Sequence, residues 1–127
     1  MKRILIVDDE PLIRYALSEA LRRVGCGVTA VANGKDANNE IHRSFYDICF
    51  LDVRLPDANG LDLMTGLREI SPATRIIIMT AVDLTKRQVD ELRAKGCHYL
   101  SKPFDLKEAH SLVSRSAMRK KSAACDV

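Results

Sequence analysis

Arg3-Ile4-Leu5-Ile6-Val7-Asp8-Asp9 is an unbroken apolar run that stops on two carboxylates. Its length suits a strand buried on both faces. Three further runs end in the same manner: residues 47–51 before Asp52, 75–79 before Thr80, and 97–101 before Lys102 and Pro103. In an open parallel sheet the carboxyl ends of the strands border one crevice. Side chains scattered over the sequence would therefore meet there: three carboxylates, a hydroxyl and an ammonium.

Between these runs the apolar period becomes helical. After Glu10 and Pro11, the residues Leu12, Ile13, Ala16, Leu17, Ala20, Leu21 and Val24 recur at helix spacing, and Gly25 stands where a helix terminates. Residues 28–32 read as a strand, and Asn33-Gly34 as the turn into a helix whose stripe is only Ala37 and Ile41. Residues 53–59 read as a loop punctuated by Pro56. Gly60 opens a helix carrying Leu61, Met64, Leu67 and Ile70 that stops before Pro72. A helix over 85–95 turns Val89 and Leu92 inward and ends at Gly96, and a last helix covers 105–119. Five strands alternating with five helices predict an α/β fold with a parallel sheet covered on both faces, because each parallel connection needs a crossover.

A chain of 127 residues with 46% hydrophobic side chains can bury one core and leaves little for a second. Residues 1–119 read as that domain, and 120–127, without an apolar period, as a C-terminal tail or the start of a linker. No apolar run approaches the roughly 20 residues of a membrane helix, and Met1-Lys2-Arg3 leads straight into a strand instead of a secretory signal. The expectation is a cytoplasmic protein without membrane contact. Cys26, Cys49, Cys97 and Cys125 are far apart and lack zinc-site spacing, so they read as reduced structural thiols. Arg115, Arg119, Lys120 and Lys121 form a basic cluster, but a net charge of +3 and 5% aromatics favour a solvated helix end over a nucleic-acid contact. Gly25-Cys26-Gly27 lacks the third glycine of a dinucleotide fingerprint, and no Gly-Lys-Ser/Thr phosphate loop is present. His42, His98 and His110 are isolated and read as surface residues.

Two carboxylates about 4 Å apart repel by about 4 kcal/mol at an effective dielectric near 20, so a cluster of three needs cations. Lys102 supplies one charge. Hard oxygen ligands suit Mg²⁺ better than zinc, and Mg²⁺ with Lys102 would balance Asp8, Asp9 and Asp52. A site neutralised in this way can receive a phosphoryl group, with Asp52, at the end of the central strand, as nucleophile. Taken singly, each residue has a plainer reading: paired aspartates cap helices, and Asp52, Thr80 or Lys102 could be ordinary strand-end residues. It is their joint occurrence at four strand ends that carries the inference.

Ile6-Val7-Asp8-Asp9-Glu10, Leu51-Asp52-Val53-Arg54-Leu55-Pro56 with Gly60, Met79-Thr80-Ala81, and Tyr99-Leu100-Ser101-Lys102-Pro103-Phe104 together resemble the response-regulator receiver domain of two-component signalling, over about residues 3–119. The resemblance implies a flavodoxin-like (βα)5 three-layer sandwich with strand order 2-1-3-4-5. It implies that Asp52 accepts a phosphoryl group from a sensor histidine kinase. Asp9, Asp52 and the backbone carbonyl of Arg54 would hold Mg²⁺ directly, Asp8 would act through water, and Lys102 would pair with the phosphoryl oxygens. Thr80 and Tyr99 would form the switch, the aromatic turning inward as the hydroxyl moves. Such a domain is a signalling switch with weak Mg²⁺-dependent self-phosphorylation and self-dephosphorylation. Its partners would be the kinase and an output domain or effector, any nucleic acid being met only through an output domain outside this chain. Dimerisation on phosphorylation is left open, because His98 stands where some transcription-factor receivers place an acidic dimer contact. The alternative is an Mg²⁺-dependent phosphatase with an aspartyl-phosphate intermediate. Such enzymes typically carry a second aspartate two residues after the first, where this chain has Arg54.

Overall fold

The computed structural model describes residues 1–119. The elements alternate strictly: β1 (Arg3–Val7), α1 (Pro11–Arg23), β2 (Gly27–Val31), α2 (Gly34–Arg43), β3 (Ile48–Asp52), α3 (Gly60–Ile70), β4 (Arg75–Thr80), α4 (Lys86–Ala94), β5 (His98–Ser101) and α5 (Leu106–Arg119). All five strands pair in parallel, in the order β2-β1-β3-β4-β5. The residues expected to form the tail, 120–127, lie outside the described residues, as does Cys125.

Alternation along the strands splits the core into two layers. Leu5, Val7, Cys49, Leu51, Ile76 and Ile78 face one side, where Ala37 and Ile41 of α2, Met64 and Leu67 of α3 and Leu92 of α4 cover them. Ile4, Ile6, Ile48, Phe50, Ile77 and Met79 face the other, beneath Leu17 and Leu21 of α1 and Ala109, Leu112 and Val113 of α5. This is why the central strands read as continuous apolar runs: neither face meets water. Cys49 and Cys97 are free thiols inside this core, and burial pushes the Cys49 thiol up to about 12.

Three details differ from the sequence reading. Leu12 and Val24, expected on the buried stripe of α1, are 82% and 50% exposed. Leu12 sits in the first turn and Val24 is the C-cap, so each lies at an end of the helix, away from the sheet beneath its middle. Ile70, the last residue of α3, is exposed at 41% for the same reason. The strands also extend to different ends: β2 begins at Gly27, whose N–H donates to the Lys2 carbonyl at 2.8 Å, while β3 and β4 include Asp52 and Thr80 themselves.

Local chemistry fixes where helices start and stop. Gly25 takes φ +91, a left-handed conformation that ends α1 and lets Cys26 N–H reach back to the Leu21 carbonyl at 3.1 Å. Thr85 and Gln88 close a capping box at the start of α4. In the first turn of α2, Asn33 accepts from Asp36 N–H at 2.8 Å. Asp57, from the loop after β3, accepts from Gly34 and Lys35 N–H at 2.7 and 3.0 Å. Those backbone bonds hold the Asp57 carboxyl below its ordinary range and moor the β3–α3 loop to α2.

Gly60 sits where that loop turns back on the end of β3. Its N–H donates to the Val53 carbonyl at 2.7 Å, and a Cβ there would run into the Asp52 carbonyl oxygen and stand 2.8 Å from Val53 Cα. Gly60→Ala is expected to cost roughly 1–3 kcal/mol in chemical denaturation, since backbone must move to admit the methyl group. Gly66, within α3, has open space where a Cβ would stand, with nothing inside 4 Å. Gly66→Ala should instead stabilise by about 0.5–1 kcal/mol. Equal effects at the two positions would contradict this account.

Candidate functional site

Adjacent strands bring the polar ends together. Asp8 follows β1, Asp52 ends β3, Thr80 ends β4 and Lys102 follows β5, and these four strands are consecutive neighbours in the sheet. Asp8, Asp52 and Thr80 are buried, whereas Asp9 and Arg54 are exposed. A cavity of about 250 Å³ opens over them, lined by Asp9, Glu10, Asp52, Arg54, Thr80, Val82 and Lys102 among others. Tyr99 does not belong to this lining. It sits on β5 with its side chain at the surface.

Lys102 is the hub. Its side chain is 8% exposed, and Nζ lies 2.8 Å from Asp8 Oδ2, 2.9 Å from Glu10 Oε1 and 3.3 Å from Asp52 Oδ2. Its backbone N–H donates to the Thr80 carbonyl at 2.7 Å, which ties the start of the β5–α5 loop to β4. Asp8 is fixed further: Oδ1 accepts from Glu10 N–H at 2.9 Å, and Arg14 donates to the Asp8 carbonyl at 2.7 Å. Asp52 Oδ1 accepts from Arg54 N–H at 3.3 Å. The Thr80 hydroxyl is turned to its own loop, accepting from Val82 N–H at 3.0 Å and donating to the Val82 carbonyl at 3.2 Å.

Glu10 and Arg14 were not legible as site residues in the sequence. Glu10 reads there as the residue that starts a helix, and only the fold reveals that its carboxylate crosses to Lys102. The one signal in the sequence was its place directly after Asp8-Asp9.

Oxygen atoms of Asp8, Asp9, Glu10 and Asp52 all lie within 4.8 Å of one another, facing a single ammonium. Burial drives the Asp52 carboxyl up to about 6, the negative charge of Asp8 adds to this, and Lys102 and the Arg54 N–H only partly offset it. Burial opposes the charge on Lys102 as well, yet its bonds to Asp8 and Glu10 and the charge of Asp52 outweigh that and hold it protonated. The cluster is thus short of positive charge. Its donors are all carboxylate oxygens, without thiol or imidazole, a set that fits a hard divalent cation such as Mg²⁺.

The sign of the pH dependence follows. Because the folded protein holds the Asp52 proton more tightly than the unfolded chain, the Asp52 contribution to stability falls as pH rises from about 4 to about 6. In cation-free protein the Asp52 side-chain carbon should titrate with a midpoint near 6 by NMR. Asp52→Asn should raise stability at pH 7 by about 1–3 kcal/mol, a gain that disappears below about pH 4. A midpoint near 4, or a loss of stability in the variant, would contradict the electrostatic reading.

This arrangement has close relatives. The family described as the response regulator receiver domain matches residues 4–114. The probable transcriptional regulatory protein TcrX of Mycobacterium tuberculosis is 37% identical over 105 residues, covering 83% of this chain and 45% of that protein. The DNA-binding transcriptional regulator NtrC of Azospirillum brasilense is 38% identical over 113 residues, covering 89% of this chain and 24% of that protein. The chain therefore spans less than half the length of these curated relatives. Among solved structures, the response regulator protein TrrA of Thermotoga maritima, crystallised in complex with Mg(2+)-BeF, superposes with a TM-score of 0.79 at 32% identity, covering 91% of this chain and 99% of that one. With its five parallel strands in the order 2-1-3-4-5 and acidic residues gathered at their carboxyl ends, this chain belongs to the response regulator receiver domain family.

Proposed function

We propose that the chain is the phosphoacceptor of a two-component phosphorelay, taking a phosphoryl group onto Asp52 from the phosphohistidine of a sensor histidine kinase. The observation that carries this reading is the buried Asp52 carboxylate set 3.3 Å from the Lys102 ammonium within a four-carboxylate crevice. A carboxylate oxygen of Asp52 attacks phosphorus, the P–N bond to the histidine breaks, and the nitrogen leaves with its electron pair. Lys102 offsets charge on the phosphoryl oxygens. Asp9, Asp52 and the Arg54 carbonyl would hold Mg²⁺, with Asp8 acting through water. When bound, the ion supplies the positive charge that the crevice lacks. The Mg(2+)-BeF complex of TrrA supports this assignment.

Phosphorylation takes Asp52 from about one negative charge to about two, and that difference biases a switch. In the resting arrangement Thr80 is bonded to Val82 and Tyr99 lies outward. The switch would release Thr80 toward the phosphoryl group and let Tyr99 turn inward. Beside Lys102, a second cavity of about 230 Å³ is lined by Leu12, Ile13, Ala16, Pro103, Phe104 and Leu106, with Leu12 and Tyr15 exposed on α1. An apolar surface next to the nucleophile suits a docking kinase helix. The transcriptional regulators among the relatives support an output domain as the receiver of the signal, and through it any contact with nucleic acid. No helix among the described residues is long and apolar enough to cross a membrane, in keeping with a cytoplasmic setting.

The phosphatase reading is less well supported, since Arg54 stands where such enzymes carry their second aspartate. Incubated with acetyl phosphate and Mg²⁺, the protein should gain one phosphoryl mass per chain, and chelation or Asp52→Asn should abolish the gain. Lys102→Ala should slow labelling about tenfold or more. Sustained hydrolysis of varied phosphate esters, or labelling that persists in Asp52→Asn, would overturn the proposal.

A further inference from the structure

Glu10 is the N-cap of α1, but its side chain makes no capping bond; Pro11 follows it at the first helical position. Freed from that role, the carboxylate reaches 92 residues along the chain to Lys102 Nζ at 2.9 Å. An ammonium has three protons, and here three carboxylates surround it: Asp8, Glu10 and Asp52. Nζ donates hydrogen bonds to Glu10 and Asp52 and lies in ion-pair contact with Asp8, so the resting ammonium is enclosed by three carboxylates.

A phosphoryl group on Asp52 brings new oxygen acceptors and about one further negative charge to the same place. With three carboxylates already packed around Nζ, the phosphoryl oxygens compete with them for the ammonium. Asp8 is fully buried and anchored by Glu10 N–H, and Asp52 is the modified residue itself. Glu10, with 57% of its side chain exposed, can swing into water and recover its hydration there. We infer that Glu10 is a positioning residue, the displaceable counterion that holds Lys102 in the resting site and competes with the phosphoryl group for its ammonium. The inference rests on the phosphoacceptor reading above and identifies a regulator of that same site. It also assigns Glu10 to Lys102 and not to the cation, although its oxygen lies among the clustered carboxylates.

The test compares wild type with Glu10→Gln, which keeps the side chain's length and the helix start but removes the charge. Mg²⁺ alone is titrated first, then beryllofluoride at saturating Mg²⁺, and the Lys102 ¹⁵Nζ resonance is recorded in each state. The expected result is beryllofluoride binding about two- to fivefold tighter in Glu10→Gln, in the range of a partly exposed ion pair, with Mg²⁺ affinity lowered by less than about tenfold, the through-space effect of one nearby charge. The Lys102 resonance should differ between the two proteins at rest and coincide once beryllofluoride is bound, a convergence that a purely structural role would not produce. A loss of Mg²⁺ affinity of about tenfold or more in Glu10→Gln would make Glu10 a cation ligand and overturn the inference, as would unchanged beryllofluoride affinity. If wild type takes up no beryllofluoride, the phosphoacceptor reading falls, and this inference with it. Failure of the inference alone is recognised by uptake in wild type without an effect of the variant.

Discussion

The Lys102 ammonium, buried between Asp8, Glu10 and Asp52, is the contact on which the arrangement of the crevice depends. Asp8 and Glu10 come from the β1–α1 connection and Asp52 from the end of β3, and the lysine offsets the repulsion between them. One cation for four clustered carboxylates still leaves an excess of negative charge. Asp52 feels it most directly, its carboxyl being held at about 6 by burial and by Asp8. A site in this condition is stabilised by whatever brings positive charge, and its chemistry follows from that need.

The fold converts this electrostatic demand into position. A parallel sheet with both faces buried cannot slip its register without exposing core, so Asp8, Asp52, Thr80 and Lys102 are fixed relative to one another by Ile, Leu and Phe packing far from the crevice. The loop after β3 is held as firmly by backbone chemistry: Gly60 allows it to press against the end of β3, and Asp57 moors it to α2. Among the side chains that face the cavity, Glu10 and Arg54 are exposed where Asp8 and Asp52 are not.

Much of this was legible in the sequence, because buried parallel strands announce themselves as apolar runs and a polar residue closing such a run must lie at the sheet edge. That reasoning located Asp8, Asp52, Thr80 and Lys102, and Asn33, Gly60 and Thr85 marked helix starts that the structure retains. What could not be read were contacts set by side-chain reach. Glu10 looks like any acidic residue opening a helix, and Asp57 like any loop carboxylate, until the fold places Lys102 beside one and the first turn of α2 beside the other. The width of the α1 stripe was overread at Leu12 and Val24, since helical period alone does not reveal where the sheet beneath a helix stops.

The claim at the centre of this account is that the crevice makes one particular carboxylate a phosphoryl acceptor. Reducing the acetyl phosphate-treated protein with borohydride, which converts an acyl phosphate to the alcohol, and sequencing its peptides by mass spectrometry addresses this directly. The account predicts homoserine at position 52 and at no other aspartate. Homoserine at position 8 or 9, or an unreduced Asp52 in protein that carries the phosphoryl mass, would contradict it.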